Sequence, residues 1–393
     1  MYPRVTVDLQ KIIHNVRHMI SLCGSYGIEI LGVTKVFAGE RPIAKAMTDG
    51  GLKMLGDSRV SNICKYEDLP VEKWLIRMPM ISEAAEVVRH CDVSLNSELS
   101  TLKALNQAAL EQGCVHKVVL MVDLGDLREG CFDEDDLARC AAYAAQAEGL
   151  NLYGLGTNLT CFSFVQPDTE KLTQLTMLAE RYHADTYISG GNSATIQLML
   201  RGKKRTSEPA GIRAEYRGWS NPVTLSAHTA EGLAAAEDPA DGIPAGVNSL
   251  RLGESVLFGR ERAGYTYLEG MYNDAFTIEA EVIEHKKKPS MPIGTIGINS
   301  YGQRPTFTDR GIRTRAICAM GRQDVDQETM WPVDPGCEIL GASSDHFIVD
   351  ITDSEKEYAV GDVMKFRLGY FAAMRAFTSV YVEKVFTASP ASQ

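Results

Sequence analysis

The stretch Ile28-Glu29-Ile30-Leu31-Gly32-Val33-Thr34-Lys35, followed by a helical pattern over 41–50, decides how the fold is read. An apolar, β-branched run that ends on one charged residue and gives way to 3.6-residue periodicity is the strand and helix of a βα unit. The alternation continues down the chain. Short β-rich runs at 28–34, 52–55, 74–77, 93–95, 117–122, 152–155, 186–188 and 247–252 make eight strands. Helical periodicity fills 41–50, 82–90, 98–113, 134–149 and 169–183 between them. Strict alternation gives a parallel sheet, and eight units match a closed (β/α)8 TIM-type barrel. An open doubly wound sheet competes, but it gives no meaning to the number eight.

Polar residues gather where these runs end. Lys35 closes the first, Asp57 and Arg59 follow the second, Arg77 closes the third, and Asn96 with Ser97 follows the fourth. Asp123 and Arg128 follow the fifth, Thr157 and Asn158 the sixth, Gly190, Gly191, Asn192 and Ser193 the seventh, and Arg251 ends the eighth. In a parallel barrel all of these share the C-terminal rim, where barrel enzymes carry their chemistry. Strand ends are also polar simply because they meet loops, which accounts for any one position better than for the set.

The wider composition narrows the function classes. A chain of 393 residues with 45% apolar content has room for one large core and a smaller second one. A formal charge of −11 disfavours nucleic acid and anionic membrane as partners. The one compact basic run, Lys286-Lys287-Lys288, precedes Pro289 and reads as a solvated turn. The start lacks a secretory pattern and no stretch is long enough to span a bilayer, so a soluble, cytoplasmic chain is expected. Nine cysteines without a Cys-x-x-Cys pair or zinc-like His spacing fit reduced thiols, and no metal is expected.

Three segments could carry chemistry. Lys35 sits where a buried ammonium is costly, and a depressed pKa would leave it as the free amine a Schiff-base nucleophile needs. On its own, a lysine at a strand end is more often a snorkelling surface residue. The turn Ser189-Gly190-Gly191-Asn192-Ser193 leads into helical sequence, and its backbone N–H groups with Ser193 suit a phosphate. Arg251-Leu252-Gly253-Glu254-Ser255 could supply the second half of that cradle. Arg128, between Gly125 and Gly130, could grip a carboxylate in bidentate fashion or pair with Asp126 or Asp133.

In this order the residues resemble the alanine racemase superfamily, the fold-type III pyridoxal enzymes, and within it the ornithine racemase group. The segments that carry the resemblance include Leu55-Gly56-Asp57-Ser58-Arg59 with Asn62, Gly156-Thr157-Asn158-Leu159-Thr160-Cys161, and Gly321-Arg322-Gln323-Asp324-Val325-Asp326. The resemblance implies a pyridoxal 5'-phosphate-dependent racemase with Lys35 as the Schiff-base lysine and Arg251 facing the pyridine nitrogen. It also implies a phosphate cradle of Asn192, Ser193, Gly253 and Glu254, with Arg128 on the substrate side. Asn158 stands where alanine racemases have a ring-stacking histidine, and the tyrosine that follows their lysine is missing from Val36-Phe37-Ala38-Gly39. Both departures match the ornithine racemase group and point to a dibasic substrate, ornithine or lysine.

Racemisation needs an acid/base group on each face of the substrate Cα. Lys35 serves one; Tyr301 is the candidate for the other, with Cys161 or its loop as the alternative. A distal ammonium needs an acidic partner, for which Asp123, Asp126, Glu129, Asp324 and Asp326 remain level. The expected domains are a barrel over 9–258, with an insertion at about 202–244 read as a surface excursion or a dimer contact, and a β-rich domain over 259–393 joined by a strand from 1–8. The resemblance further implies a homodimer with shared active sites. Two other readings stay open: a non-catalytic pyridoxal-phosphate carrier, which the second domain argues against, and an amino-acid decarboxylase on the same fold.

Overall fold

The computed structural model describes residues 1–202, 242–298, 302 and 304–388, so the expected excursion lies, over 203–241, outside the described residues. The chain divides into two compact units, Leu9–Asn273 and Met1–Asp8 with Asp274–Ser389.

The first strand, β1 (Arg4–Asp8), belongs to the second of these units. The larger unit begins with helix α1 (Leu9–Ser25), which buries Ile12, Val16, Met19 and Cys23. Those steps of three and four residues are the stripe of an amphipathic helix, a signal the strand-led reading from residue 28 passes over. Eight parallel strands then close a barrel in chain order: β2 (Glu29–Val33), β3 (Met54–Asp57), β4 (Glu72–Leu75), β5 (Val93–Asn96), β6 (His116–Val122), β7 (Leu150–Thr157), β8 (Tyr187–Ser189) and β9 (Ser249–Leu252). The ring closes through β2 against β9, with Glu29 opposite Ser249 and Gly32 opposite Leu252. Among the connections run helices α2 (Arg41–Asp49), α3 (Val60–Ile63), α4 (Ala84–His90), α5 (Leu99–Gln112), α6 (Glu134–Gln146), α7 (Thr169–Arg181) and α8 (Thr195–Arg201), with α9 (Glu254–Phe258) after the last strand. Asp133 and Asp168 accept the Asp135 and Lys171 N–H groups and so cap α6 and α7.

Two strands are displaced from their apolar runs. The second extends to Asp57, and the third begins at Glu72 rather than 74. Glu72 accepts from Lys117 Nζ at 2.6 Å and from Trp74 Nε1 at 2.8 Å, so a charged residue starts the strand with its partners in place. Apolar runs alone do not reveal such a pair. The core cluster contains Leu31, Val33, Met54, Trp74, Val93, Leu95, Val119, Met121 and Tyr187. Trp74 and Tyr187 meet at 4.5 Å between ring centroids. Burying each such large side chain stabilises the fold by roughly 1.5–3 kcal/mol. At Gly154 on β7 a Cβ would lie 1.9 Å from the Tyr187 carbonyl oxygen, so only glycine lets β7 and β8 approach there.

The other unit is built on an eight-stranded sheet. Its path runs β12 (Met330–Pro332), β15 (Val363–Leu368), β10 (Phe276–Pro289), β11 (Ile312–Cys318), β14 (Phe347–Asp350), β13 (Glu338–Ala342). Off this path, β1 pairs antiparallel with β10 and parallel with β16 (Glu383–Thr387). The basic run is not a turn. Lys286, Lys287 and Lys288 continue β10 opposite Arg315, Thr314 and Arg313, and Lys286 and Lys287 are exposed. Helix α10 (Tyr370–Thr378) interrupts the β-rich sequence and sets Phe377 edge-on to Phe276 at 6.1 Å.

Candidate active site

The polar residues singled out at the strand ends lie along the C-terminal rim of the closed barrel. Lys35 leaves β2 one residue after Thr34 and opens a 3-10 turn, Lys35–Phe37. Its side chain is exposed, yet the surrounding protein is dense enough that desolvation is the strongest influence on it and holds the amine below the ordinary lysine range. Cys161, Asp57 and Glu129 pull the other way, and Arg128 adds to the depression. The turn packs on a buried polar chain. Thr34 Oγ1 donates to Asp57 Oδ2 at 2.6 Å and lies 3.3 Å from the Tyr66 hydroxyl.

Arg251, 6% exposed, is fixed by neighbours on two other strands. Its Nη1 donates to Ser189 Oγ at 2.5 Å and its Nη2 to the Thr157 carbonyl at 2.6 Å. The fork therefore has one orientation. Burial lowers its pKa, while Tyr187, Glu129 and Cys161 act in the opposite sense.

The two proposed halves of an anion cradle come together. Ser193 Oγ lies 3.1 Å from Ser255 Oγ and accepts the Ser255 N–H at 3.3 Å, which joins the turn after β8 to α9. Gly253 and Glu254 stand at the start of that helix. The Glu254 carboxylate is turned into an ion cluster, where it accepts from Arg260 Nε at 3.0 Å and pairs with Arg260 Nη2 at 2.5 Å. Asn192 donates to Asn158 Oδ1 at 3.0 Å and to the Leu159 carbonyl at 2.9 Å, and its Nδ2 is 3.3 Å from Cys161 Sγ. Asn158 is 7% exposed, and its Nδ2 has no hydrogen-bond partner among the described residues. A buried donor without an acceptor is costly unless a ligand supplies one.

Arg128 projects from the loop after β6, where Glu129 accepts from both its Nε and its Nη2. That pairing raises the arginine pKa, with a smaller pull from Cys161. The pairing expected from spacing, with Asp126 or Asp133, is not the one formed. Asp126 accepts the Phe162 and Ser163 N–H groups, and Asp133 caps α6. Asp123 Oδ1 accepts the Gly125 and Leu127 N–H groups and shapes the same loop. In the other unit, Asp324 accepts from Gly321 N–H and Ser379 Oγ, and Asp326 from Glu328 N–H. Tyr301 lies outside the described residues.

The sequence reading gave Ser189, Ser255, Thr34 and Tyr66 no role of their own. A charged residue ending an interior strand needs acceptors from adjacent strands, so the hydroxyl and carbonyl groups at the ends of β7 and β8 were findable in principle. Tyr66 carries no local signal. Among the described residues no group of three or more His, Cys, Asp and Glu could hold a metal ion, and no helix is long and apolar enough to cross a membrane.

The family model for the alanine racemase N-terminal domain matches residues 7–207. The chain is 39% identical to the ornithine racemase of Acetoanaerobium sticklandii over 389 residues, covering 98% of this chain and 99% of that one. It is 35% identical to the lysine racemase of Thermotoga maritima over 396 residues, covering 99% of each. The solved alanine racemase of Bartonella henselae, with covalently bound pyridoxal phosphate, aligns at TM-score 0.65 with 16% identity, covering 98% of this chain and 99% of that one. The expected barrel with a β-rich second domain is borne out, as is the resemblance to the ornithine racemase group.

Proposed function

This chain belongs to the alanine racemase N-terminal domain family, and from that premise we propose that it racemises a dibasic amino acid, ornithine or lysine. It is a pyridoxal-phosphate-dependent amino-acid racemase. The substrate class rests on the full-length match to racemases of those two amino acids.

The site fits the cofactor on its own chemistry. It offers a lysine whose amine is held below its usual range, a fixed arginine fork, and a serine at the joint of two backbone turns. Lys35 would hold the group covalently through Nζ. Asn192 and Ser193, with the backbone of Gly253 and Glu254, would hold its phosphate, and Arg251 would face its ring nitrogen. When bound, pyridoxal phosphate supplies an electron-withdrawing ring that acidifies the substrate Cα–H.

The chain's own residues then account for the outcome. Arg251, facing the ring nitrogen, would leave it unprotonated because a guanidinium holds its proton, and would thereby limit how far charge spreads from Cα and favour quick return of a proton there. Lys35, with its depressed pKa, exchanges a proton with one face of Cα, and Tyr301 serves the other. Arg128 and Asn158 bind substrate. Glu129, which acts on Lys35 electrostatically, is the acidic partner for the distal ammonium. The enzyme works as a cytoplasmic homodimer in which the second subunit completes each site.

Incubation of the purified protein with L-ornithine, L-lysine and L-alanine, followed by chiral chromatography and carbon dioxide measurement, tests this reading. Expected is D-ornithine or D-lysine with no gas. Cofactor binding without any D-product would favour a carrier, and carbon dioxide release a decarboxylase.

A further inference from the structure

One buried carboxylate in the barrel has no part in the mechanism above. Asp57 ends β3, is 0% exposed, and faces donors. Its Oδ2 accepts from Thr34 Oγ1 at 2.6 Å, and its Oδ1 accepts from Arg59 N–H at 3.1 Å and Asn62 Nδ2 at 2.9 Å. The Ser58 N–H adds a fourth donor. Two of the three hydrogen-bonded partners besides Thr34 are backbone amides that cannot accept, so these partners favour the ionised form of the carboxylate. Burial pushes the Asp57 pKa up, and these hydrogen bonds oppose that. With Thr34 donating to Asp57, the Tyr66 hydroxyl donates to Thr34 Oγ1.

The other end of the Lys35 turn is braced against the same segment. Gly39 has φ +67, and a Cβ there would lie 2.5 Å from the Asn62 carbonyl oxygen. Lys65 Nζ donates to the Ala38 carbonyl at 2.8 Å. The turn is thus clamped between Thr34 and Gly39 onto residues 57–65, with the carboxylate at the centre of the clamp.

We propose that Asp57 is the positioning residue for Lys35: through Thr34 it fixes the turn from which the lysine projects, with its carboxylate beneath that turn. This rests on Lys35 being the reactive amine of the racemase site. The charged and titratable groups acting on Lys35 are Cys161, Asp57 and Glu129, which favour the ammonium, and Arg128, which opposes it. A group that only packed and hydrogen-bonded could be uncharged, and removing its charge would leave the lysine's protonation unchanged.

The test reads Lys35 directly, in the full-length protein freed of cofactor. Competitive labelling with an amine-selective reagent across a pH series, followed by mass spectrometry of the Lys35 peptide, gives its protonation midpoint. Asp57→Asn keeps size and an acceptor oxygen for Arg59 and Asn62 but loses the charge; the midpoint should move to lower pH, and kcat should fall about ten- to hundredfold. A midpoint equal to that of the parent protein overturns the proposal even if kcat falls, since loss of rate alone is what a packing role gives. Should Asp57→Asn not fold, Thr34→Val carries the test. It should lower kcat at near-constant KM, with Thr34→Ser restoring it, and an undiminished kcat in Thr34→Val overturns the proposal. A parent protein without racemase activity would sink the functional reading, whereas an unmoved midpoint in an active parent overturns this proposal alone.

Discussion

Arg251 Nη1 donates to Ser189 Oγ at 2.5 Å, which ties the guanidinium of the last barrel strand to the end of the strand beside it. The second bond, from Nη2 to the Thr157 carbonyl, reaches one strand further. Two bonds of different direction fix a planar fork where a single bond would let it swing. Arg251→Lys keeps the charge and loses the fork, so kcat for L-to-D conversion should fall by roughly a hundredfold with cofactor still bound. Ser189→Ala should cost less, about tenfold, because one anchor remains. Steady-state rates by chiral chromatography check both, and a rate within twofold of the parent for Arg251→Lys would remove the fork from the mechanism.

Glu129 occupies two nitrogens of Arg128 and also acts electrostatically on Lys35. Glu129→Gln frees the arginine for every substrate but removes the acidic partner only from dibasic ones. The ratio of kcat/KM for L-ornithine to that for the uncharged L-norvaline should therefore drop at least about tenfold, the scale of one charge-assisted hydrogen bond. An unchanged ratio would assign the distal ammonium to another group.

His116 is buried at the start of β6, its Nε2 is 2.8 Å from Ser94 Oγ, and burial lowers its pKa from 6.5 to about 4. Between those values the unfolded chain binds a proton that the folded chain does not. Stability from this group is complete above pH 6.5 and is lost as the pH falls toward 4, by an amount on the order of 3 kcal/mol. In His116→Asn the decline of urea-unfolding free energy over that window should be shallower than in the parent. Parallel curves would contradict the assignment.

Gly154→Ala puts a methyl group against the Tyr187 carbonyl, a backbone atom that cannot rotate away. Strands β7 and β8 must separate, at a cost of about 3 kcal/mol or more. A thermal melt checks this, and a Tm equal to the parent's would show that the barrel yields easily at that point.

Much of this architecture was legible because a parallel barrel buries both faces of its strands, so apolar runs such as 117–122 stand out. Where the strands carry charge, that signal fails. The start of β4 at Glu72 and the end of β3 at Gly56-Asp57 were hidden because their partners, Lys117 and Thr34, come from distant sequence. Helix α1 had a clear apolar stripe but preceded the first recognised strand, and α10 sits among β-rich sequence whose pattern outweighed it. Lys286 to Lys288 were misread because a basic run before proline looks like a turn, although an exposed strand suits lysine equally well. In the site, charged residues at strand ends were visible one by one. The hydroxyl network beneath Lys35 was not, since Tyr66 reaches Thr34 only through the fold. The grip of Glu129 on Arg128 joins adjacent residues, and spacing alone favoured Asp126 or Asp133.

The most direct test of the central claim is to reduce the purified, cofactor-loaded protein with borohydride, digest it and locate the pyridoxyl group by mass spectrometry. The group is expected on Lys35 alone, and Lys35→Ala should lose both the label and all formation of D-amino acid. A label on any other lysine, or racemisation that survives in Lys35→Ala, would contradict the assignment of Lys35 as the residue that carries the cofactor.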